Sequence, residues 1–344
     1  MKETPYSAEL SNKIEFLKSK KKSCQLGRVS FSSKYLLAPM SGITNAPFRL
    51  LMQELGSGGA ITELISSHGI NYQGKKTLDM LALDEDELNT GIQLFGENEK
   101  ALSEAAEFAE KFKPDFIDIN MGCPVRKVCK KGAGSSLMAE PKKLGPLFKS
   151  IKSKINLPLT IKIRTGIDEK HRNADQVIKI AASEGIEFVS LHGRTKDQMY
   201  SGRADWDYIE KIAIDSPLPI IGNGDLNSKE IIREREGITK TSALMIGRAI
   251  LKNPFLFLEA LDSENQITFT TSDYLEVINR LDNLIRNFTD NEKVHLIQMK
   301  KHIAWFITGL PSSAKFRETI YKLQTYNEIY KNTQNFFQQS SVTH

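Results

Sequence analysis

Phe116-Ile-Asp-Ile-Asn-Met-Gly-Cys-Pro-Val-Arg-Lys-Val-Cys-Lys-Lys131 joins an apolar run to a glycine-containing turn and then to a cluster of cations. Phe116 to Asn120 has the length and side chains of a buried strand, and Gly122 and Pro124 end it. Arg126, Lys127, Lys130 and Lys131 follow at once, with Cys123 at the junction. A thiol at a strand end beside four cations fits chemistry on a polyanion. It fits equally a small buried cysteine next to a solvated basic loop. This stretch leaves both readings open, and the flanking chain has to separate them.

The same strand-then-helix unit recurs on both sides. Upstream, Tyr35–Met40, Ala60–Leu64 and Gly91–Phe95 read as strands. The first turns at Ser41-Gly42 into a helix with a polar cap and Pro47 in its first turn. The second leads into a polar loop through Ser66, Ser67, His68 and Gly74. The third leads into a helix over Asn98–Phe112, with Ala101, Leu102, Ala105, Phe108 and Ala109 facing inward. Downstream, Leu159–Ile163, Phe188–His192, Pro219–Gly222 and Ala243–Ile246 read as strands. Helices are expected over Pro141–Ser153, Asn173–Glu184, Trp206–Ile214, Ser228–Arg235 and Pro254–Leu261. Eight such units in about 225 residues match an α/β chain folded as a (β/α)8 TIM barrel. A doubly wound open sheet would rarely use eight units of such even length.

From about residue 263 the strand signal stops. Asp273–Phe288, Glu292–Phe306 and Ser313–Tyr326 read as amphipathic helices, the last two parted by Gly309-Leu-Pro311. The expected layout is a lead-in over 1–30, a barrel over 31–262, a small all-helical domain over 263–335 and a loose polar tail over 336–344. Within the lead-in, Lys13–Lys22 reads as a short helix or a frayed end.

Composition narrows the classes. At 40% hydrophobic and 26% charged residues the chain is an ordinary globular protein rather than a disordered or membrane one. No apolar run reaches the ~18 residues of a membrane span, and the polar, lysine-rich Met1–Lys22 lacks the apolar region of a secretory signal. Three cysteines in so long a chain speak against a disulfide framework and for a reducing cytoplasm. Cys123 and Cys129 do not have a zinc-ligand spacing, so no metal is expected. A net charge of +5 permits a nucleic-acid partner without requiring one.

In a (β/α)8 barrel the reacting groups come from the carboxyl ends of the strands. Those ends carry Pro39-Met40-Ser41, Gln93, Asn120 with Cys123, Lys162 with Arg164, His192 with Arg194, Asn223-Gly224-Asp225, and Gly247-Arg248. Hydrogen-bond donors and cations dominate where plain solvation would bring a mixture richer in Asp, Glu and Ser, so a ligand site is expected. The ends of strands seven and eight are where barrels commonly hold a phosphate. Glycine there lets backbone N–H groups approach the anion, and Arg248 adds a charged donor. No G-x-G-x-x-G or P-loop pattern occurs, which argues against a Rossmann dinucleotide site or an NTPase. Lys162 lies in the apolar run Leu159–Ile163, where an ammonium is costly unless it meets negative charge. A flavin ring that becomes anionic on reduction is one such partner; a lysine snorkelling from a strand end is the other reading. His192 reads as a site histidine or as a core one.

Seven segments together resemble a known family. They are Leu37-Ala-Pro-Met-Ser-Gly-Ile-Thr-Asn45, Gln93-Leu-Phe-Gly96, Asp118-Ile-Asn-Met-Gly-Cys-Pro124, Ile161-Lys-Ile-Arg-Thr-Gly166, Leu191-His-Gly-Arg194, Gly222-Asn-Gly-Asp225 and Met245-Ile-Gly-Arg248. In order and spacing they resemble the tRNA-dihydrouridine synthases, over roughly residues 30 to 325. Lys300-Lys-His-Ile-Ala-Trp305 is similar to the bacterial B-type branch. Ser41, where many members carry Ala, and Asn45, often Asp, are departures at positions of small consequence.

The resemblance implies FMN in the barrel, a reduced nicotinamide (NADPH or NADH) to reload it, and reduction of the C5–C6 double bond of selected tRNA uridines. Carried over by motif, Pro39, Met40, Ser41, Gln93 and Lys162 line the flavin. His192, Asn223, Gly224, Asp225, Gly247 and Arg248 hold its ribityl chain and phosphate. Asn120 faces the flavin and uracil rings, and Cys123 is the proton donor to C5. The cations after Cys123 are expected to lower its pKa unless RNA phosphates offset them. Arg126, Lys127, Lys130, Lys131, Arg164, Arg194 and Arg203 are expected to clamp phosphates and the flipped nucleotide. The helical domain is expected to grip the tRNA body, with Lys300, Lys301 and Arg317 as contacts and Phe316 in packing. A monomer is expected. Two other readings stand beside this one: an FMN barrel enzyme reducing a free pyrimidine or enone, and a tRNA-binding protein with a vestigial site.

Overall fold

The computed structural model describes residues 5–339. Eight parallel strands close into a barrel: β1 (Tyr35–Leu37), β2 (Ala60–Ile61), β3 (Thr90–Phe95), β4 (Phe116–Met121), β5 (Leu159–Arg164), β6 (Val189–His192), β7 (Ile220–Asn223) and β8 (Ala243–Ile246). Each pairs with the next, and β8 pairs back onto β1 through Leu244↔Tyr35 to Ile246↔Leu37. Both faces of such strands are covered, which is why they read as near-continuous apolar runs.

Alternate side chains feed two cores. Outward residues such as Leu94, Ile117, Ile119, Ile161 and Leu191 join the helices in one large cluster. Inward residues at the amino end of the barrel, among them Leu36, Ile61, Phe116, Phe188, Ile221 and Met245, form a second. A hairpin, Cys24–Leu26 with Val29–Phe31, plugs that end. Phe31 meets Phe116 and Phe188 edge-on, with centroids 5.9 and 5.8 Å apart. The interior is therefore apolar at the bottom, and the cleft opens at the carboxyl end.

Helix starts follow their caps: the side chains of Asn45, Asn98, Asp205 and Ser228 accept from Phe48, Ala101, Tyr208 and Ile231 backbone N–H groups. Past the barrel, Thr271–Phe288 opens with a Thr270/Asp273 capping box, and Glu292–Phe306 follows. These helices dock on the first barrel helix, Ala46–Glu54. Arg280 Nε bonds both Glu54 carboxylate oxygens at 3.1 and 3.0 Å, and His302 stacks on Phe48 at 5.1 Å.

Four segments differ from the sequence reading. The lead-in holds a regular helix, Ala8–Ser19, because Leu10, Ile14 and Leu17 form an apolar stripe that is buried. The polar loop after β2 instead contains a strand, Ile65–Ser66, beside β3, and helices Ser67–Asn71 and Lys75–Leu81; Ile65, Ile70 and Leu81 are fully buried. The third C-terminal helix stops at Lys322, and a further helix runs Tyr326–Gln339. It takes in the first residues expected as tail because Phe336 and Phe337 are buried, Phe336 stacked on Phe316 at 4.4 Å. Residues 340–344 of the expected tail lie outside the described residues.

Candidate active site

The strand register decides which side chains meet. Gln93 sits opposite Asp118, Asn120 opposite Lys162, Arg164 opposite His192 and His192 opposite Asn223. All of these but Asp118, which lies beneath, ring a cleft of about 330 Å³ at the carboxyl end, within the usual size of a small-molecule site. Pro39, Met40, Ser41, Gly224, Asp225, Gly247, Arg248 and Cys123 also line it. Every residue expected from the strand ends thus faces one cavity.

Its floor is a chain of polar side chains. Thr160 Oγ1 donates to Asp118 Oδ1 at 2.6 Å, and Gln93 Nε2 donates to Asp118 Oδ2 at 2.7 Å. Asn120 Nδ2 donates to Gln93 Oε1 at 2.9 Å, and its own Oδ1 accepts the Cys123 backbone N–H at 2.9 Å. On the other side Lys162 Nζ donates to Asn223 Oδ1 at 2.9 Å, and Asn223 Nδ2 donates to the Met245 carbonyl at 2.7 Å. Burial pulls the Lys162 ammonium down to about 8, with Arg164 adding to the effect and Asp118 opposing it. Burial, then Lys162 and three arginines, hold His192 well below the usual histidine range, so its ring is neutral at pH 7.

Glycine shapes the far end. A Cβ on Gly224, whose φ is +126°, would lie 2.6 Å from Ala204 Cβ and 3.0 Å from His192 Cδ2. At Gly247 it would have only Ala38 Cβ at 3.7 Å and Met40 Sδ at 4.0 Å as neighbours, so a side chain there would intrude on the cleft. Bare backbone beside the exposed Arg248 suits an anion. Amide groups, a lysine and a neutral histidine at the other end suit a planar heterocycle with several acceptors. The donor set and the glycine-lined trench therefore fit FMN.

Cys123 is half-buried on the rim. Burial pushes its thiol above the ordinary value, and Arg164 is the cation that opposes this. Arg126, Lys127, Lys130 and Lys131 do not offset this, since their side chains are exposed to solvent on the short helix Arg126–Cys129 and the two residues after it. Cys129 is tucked below instead, its Sγ donating to the Cys123 carbonyl at 3.3 Å. Arg126, Lys127, Lys130, Lys131 and Arg203 are all exposed at the mouth, available to phosphates.

Arg164 and Arg194 line the cleft but are engaged by the protein's own backbone and Asp225. They are 2% and 3% exposed, and their guanidinium groups hold the loop after β6 from beneath. Arg164 bonds the Gly122, Thr195 and Met199 carbonyls at 2.7–2.8 Å. Arg194 bonds the Ser201 and Gly202 carbonyls and both oxygens of Asp225. Asp225 thereby presents its backbone, rather than a free carboxylate, to the cleft. On the helical domain, Lys300 caps the Tyr321 and Leu323 carbonyls and Lys301 donates to the Gly42 carbonyl at 2.5 Å, so both brace structure. Arg317 reaches Thr308 at 3.5 Å.

Two site residues escaped the sequence reading. Asp118 is a charge inside a buried strand, the same signal that marked Lys162. Tyr200 stands exposed on the rim with the Arg248 guanidinium 4.5 Å from its ring centre; no local pattern marked it.

Comparison with known proteins agrees with this geometry. The family described as Dihydrouridine synthase (Dus) matches residues 36–341. A probable tRNA-dihydrouridine synthase of Rickettsia conorii is 32% identical over 304 residues, covering 86% of this chain and 91% of that one. The tRNA-dihydrouridine synthases B of Xanthomonas axonopodis (32% identical; 91% and 95% covered) and Pasteurella multocida (33%; 86% and 90%) are similarly close. Among solved structures, a 2-naphthoyl-CoA reductase complex shares the fold at TM-score 0.56 and 11% identity, covering 72% of this chain and 53% of that one. A histamine dehydrogenase from Rhizobium does so at TM-score 0.54 and 14%, covering 79% and 51%. The chain belongs to the dihydrouridine synthase family.

Proposed function

We propose that this protein reduces the C5–C6 double bond of specific uridines in tRNA to 5,6-dihydrouridine, with FMN as its resident cofactor and NAD(P)H as reductant. The observation that carries the reading is Cys123, a half-buried thiol on the same cleft as the Gln93, Asn120, Lys162 and Asn223 donors. Pro39, Met40, Ser41, Gln93 and Lys162 would hold the flavin ring; His192, Asn223, Gly224, Asp225, Gly247 and Arg248 would hold its ribityl phosphate. When bound and reduced, the flavin supplies the hydride that C6 of uracil receives. Cys123 Sγ gives its proton to C5, a transfer worth roughly 10²–10⁴-fold from a positioned acid. Its raised pKa keeps that proton in place at neutral pH. Asn120 faces the uracil and fixes the Cys123 backbone at the same time.

A base stacked in tRNA has to swing out to reach this depth. Arg126, Lys127, Lys130, Lys131 and Arg203 would steady the phosphates around it, while the helical unit over 263–335 takes the tRNA body. Among the described residues no helix is long and apolar enough to cross a membrane. We place the enzyme in the cytoplasm, acting as a monomer. The test is direct: purified protein should carry flavin absorbance and convert unmodified tRNA in the presence of NADPH or NADH, read by mass mapping of dihydrouridine. Reduction of free uracil with none on tRNA would replace this reading with a small-molecule reductase.

A further inference from the structure

Asp118 is completely buried below the cleft and faces no solvent, substrate or open cavity. An ionised carboxylate only accepts hydrogen bonds. Gln93 must therefore turn its Nε2 toward Asp118, as observed at 2.7 Å. That leaves Gln93 Oε1 facing Asn120, which must answer with Nδ2. Asn120 is then left with Oδ1 toward the loop, where the Gly122 and Cys123 backbone N–H groups both need an acceptor. The chain has an obligatory acceptor at one end and obligatory donors at the other, so only one orientation of the two amides satisfies both.

We propose that Asp118 is a positioning residue: it sets the direction of the Gln93 and Asn120 amides and thereby anchors the backbone of the proton donor Cys123. The inference rests on the function proposed above for its kinetic consequence, and on geometry alone for its structural one. Asp118 never touches the reacting atoms. The groups facing it are Gln93 on β3 and Thr160 and Lys162 on β5, Lys162 being the charged one; burial raises its carboxyl to about 6. Below that pH the protonated carboxyl can still accept from Gln93 through Oδ2 while its hydroxyl turns to Thr160, so the chain keeps its direction.

Two variants separate positioning from mere packing. Asp118→Leu keeps the bulk but removes the acceptor, so the amides lose their direction. Asp118→Asn can still offer Oδ1 to Gln93 and its amide to Thr160, whose hydroxyl then has the Ile117 carbonyl at 3.4 Å. With flavin-loaded enzyme and tRNA, Asp118→Leu should lower kcat about 10- to 100-fold, the scale of a mispositioned group, with KM for tRNA unchanged. Asp118→Asn should recover most of that loss. In cofactor-free protein, iodoacetamide labelling of Cys123, mapped by mass, should quicken several-fold in Asp118→Leu and stay near native in Asp118→Asn. Native kcat and labelling in Asp118→Leu would overturn the proposal. Asp118→Ala, smaller and likewise without an acceptor, carries the same test if the leucine variant does not fold: native kcat and labelling in it would overturn the proposal. A native protein that forms no dihydrouridine would reject the proposed function, and the labelling comparison would still judge Asp118.

Discussion

Lys162 on β5 donates to the Asn223 side chain on β7 at 2.9 Å, reaching over the intervening strand β6. The bond joins the two halves of the cleft's floor and holds an ammonium where little solvent reaches it. Its pKa near 8 lies below the ~10.4 of a free lysine. Between those values the unfolded chain binds a proton that the native one does not, so this residue's contribution to stability rises with pH across the window. Lys162→Met has nothing to titrate there. Urea denaturation should show the native protein gaining on the variant between pH 7.5 and 10, and a constant gap would mean the amine is not depressed. Dihydrouridine formation should fall sharply in the variant at every pH.

Cys123→Ala should cut dihydrouridine formation by roughly 10²–10⁴-fold while leaving tRNA affinity intact, since a proton donor is lost but no binding surface. The native thiol should be alkylated with a pH midpoint above the ordinary cysteine range, because burial rather than the nearby cations governs it. Adding tRNA is not needed to keep it protonated. A midpoint below that range in free protein would contradict the assignment as acid and favour a nucleophile.

The barrel was legible because a parallel strand covered on both faces has an apolar signature, and eight of these recur with helices between them. The site was legible because barrels put chemistry at strand ends, where Gln93, Asn120, Lys162, His192 and Asn223 stand out against apolar runs. What could not be read was partnership across the sequence. Arg164 and Arg194 look like free cations in the linear chain; only the fold shows Thr195, Met199, Ser201, Gly202 and Asp225 engaging several of their donors. The helix Ala8–Ser19 was ambiguous for the same reason, since its stripe of Leu10, Ile14 and Leu17 needs the barrel and the C-terminal helices to bury it.

Exposed and buried cations should therefore behave differently. Replacing Arg126, Lys127, Lys130 and Lys131 by alanine should weaken tRNA binding and flatten its salt dependence, by roughly 0.7–0.9 in log–log slope for each phosphate no longer neutralised. Thermal stability should hardly change. Arg194→Ala should instead leave the Asp225 carboxylate without its charged partner and cost roughly 1.5–3 kcal/mol. Affinity measured over a range of salt concentrations, with melting curves beside it, distinguishes the two. A steep salt slope in the quadruple variant equal to that of the native protein would exclude the short helix as an RNA-binding element.

His302 ties the helical domain to the barrel and should make that union acid-sensitive. Its ring stacks on Phe48, its Nδ1 bonds the Gln298 carbonyl at 2.8 Å, and its Nε2 is buried with no partner. Burial, with Lys301 beside it, lowers its pKa to about 3, against ~6.5 in an unfolded chain. Between those values only the unfolded chain takes the proton. The histidine's contribution is thus complete above pH 6.5 and drains as pH falls, by about tenfold in the unfolding equilibrium per pH unit. Asp118, raised to about 6, pulls the other way over part of that range, so the comparison has to be with a variant rather than with the native curve alone. His302→Phe keeps an aromatic ring on Phe48 and has nothing to titrate. Relative to its own stability at pH 8, it should lose less than the native protein between pH 6.5 and 4.5. Parallel curves over that interval would show that the histidine accepts its proton in place, and that the Phe48 stack survives the charge.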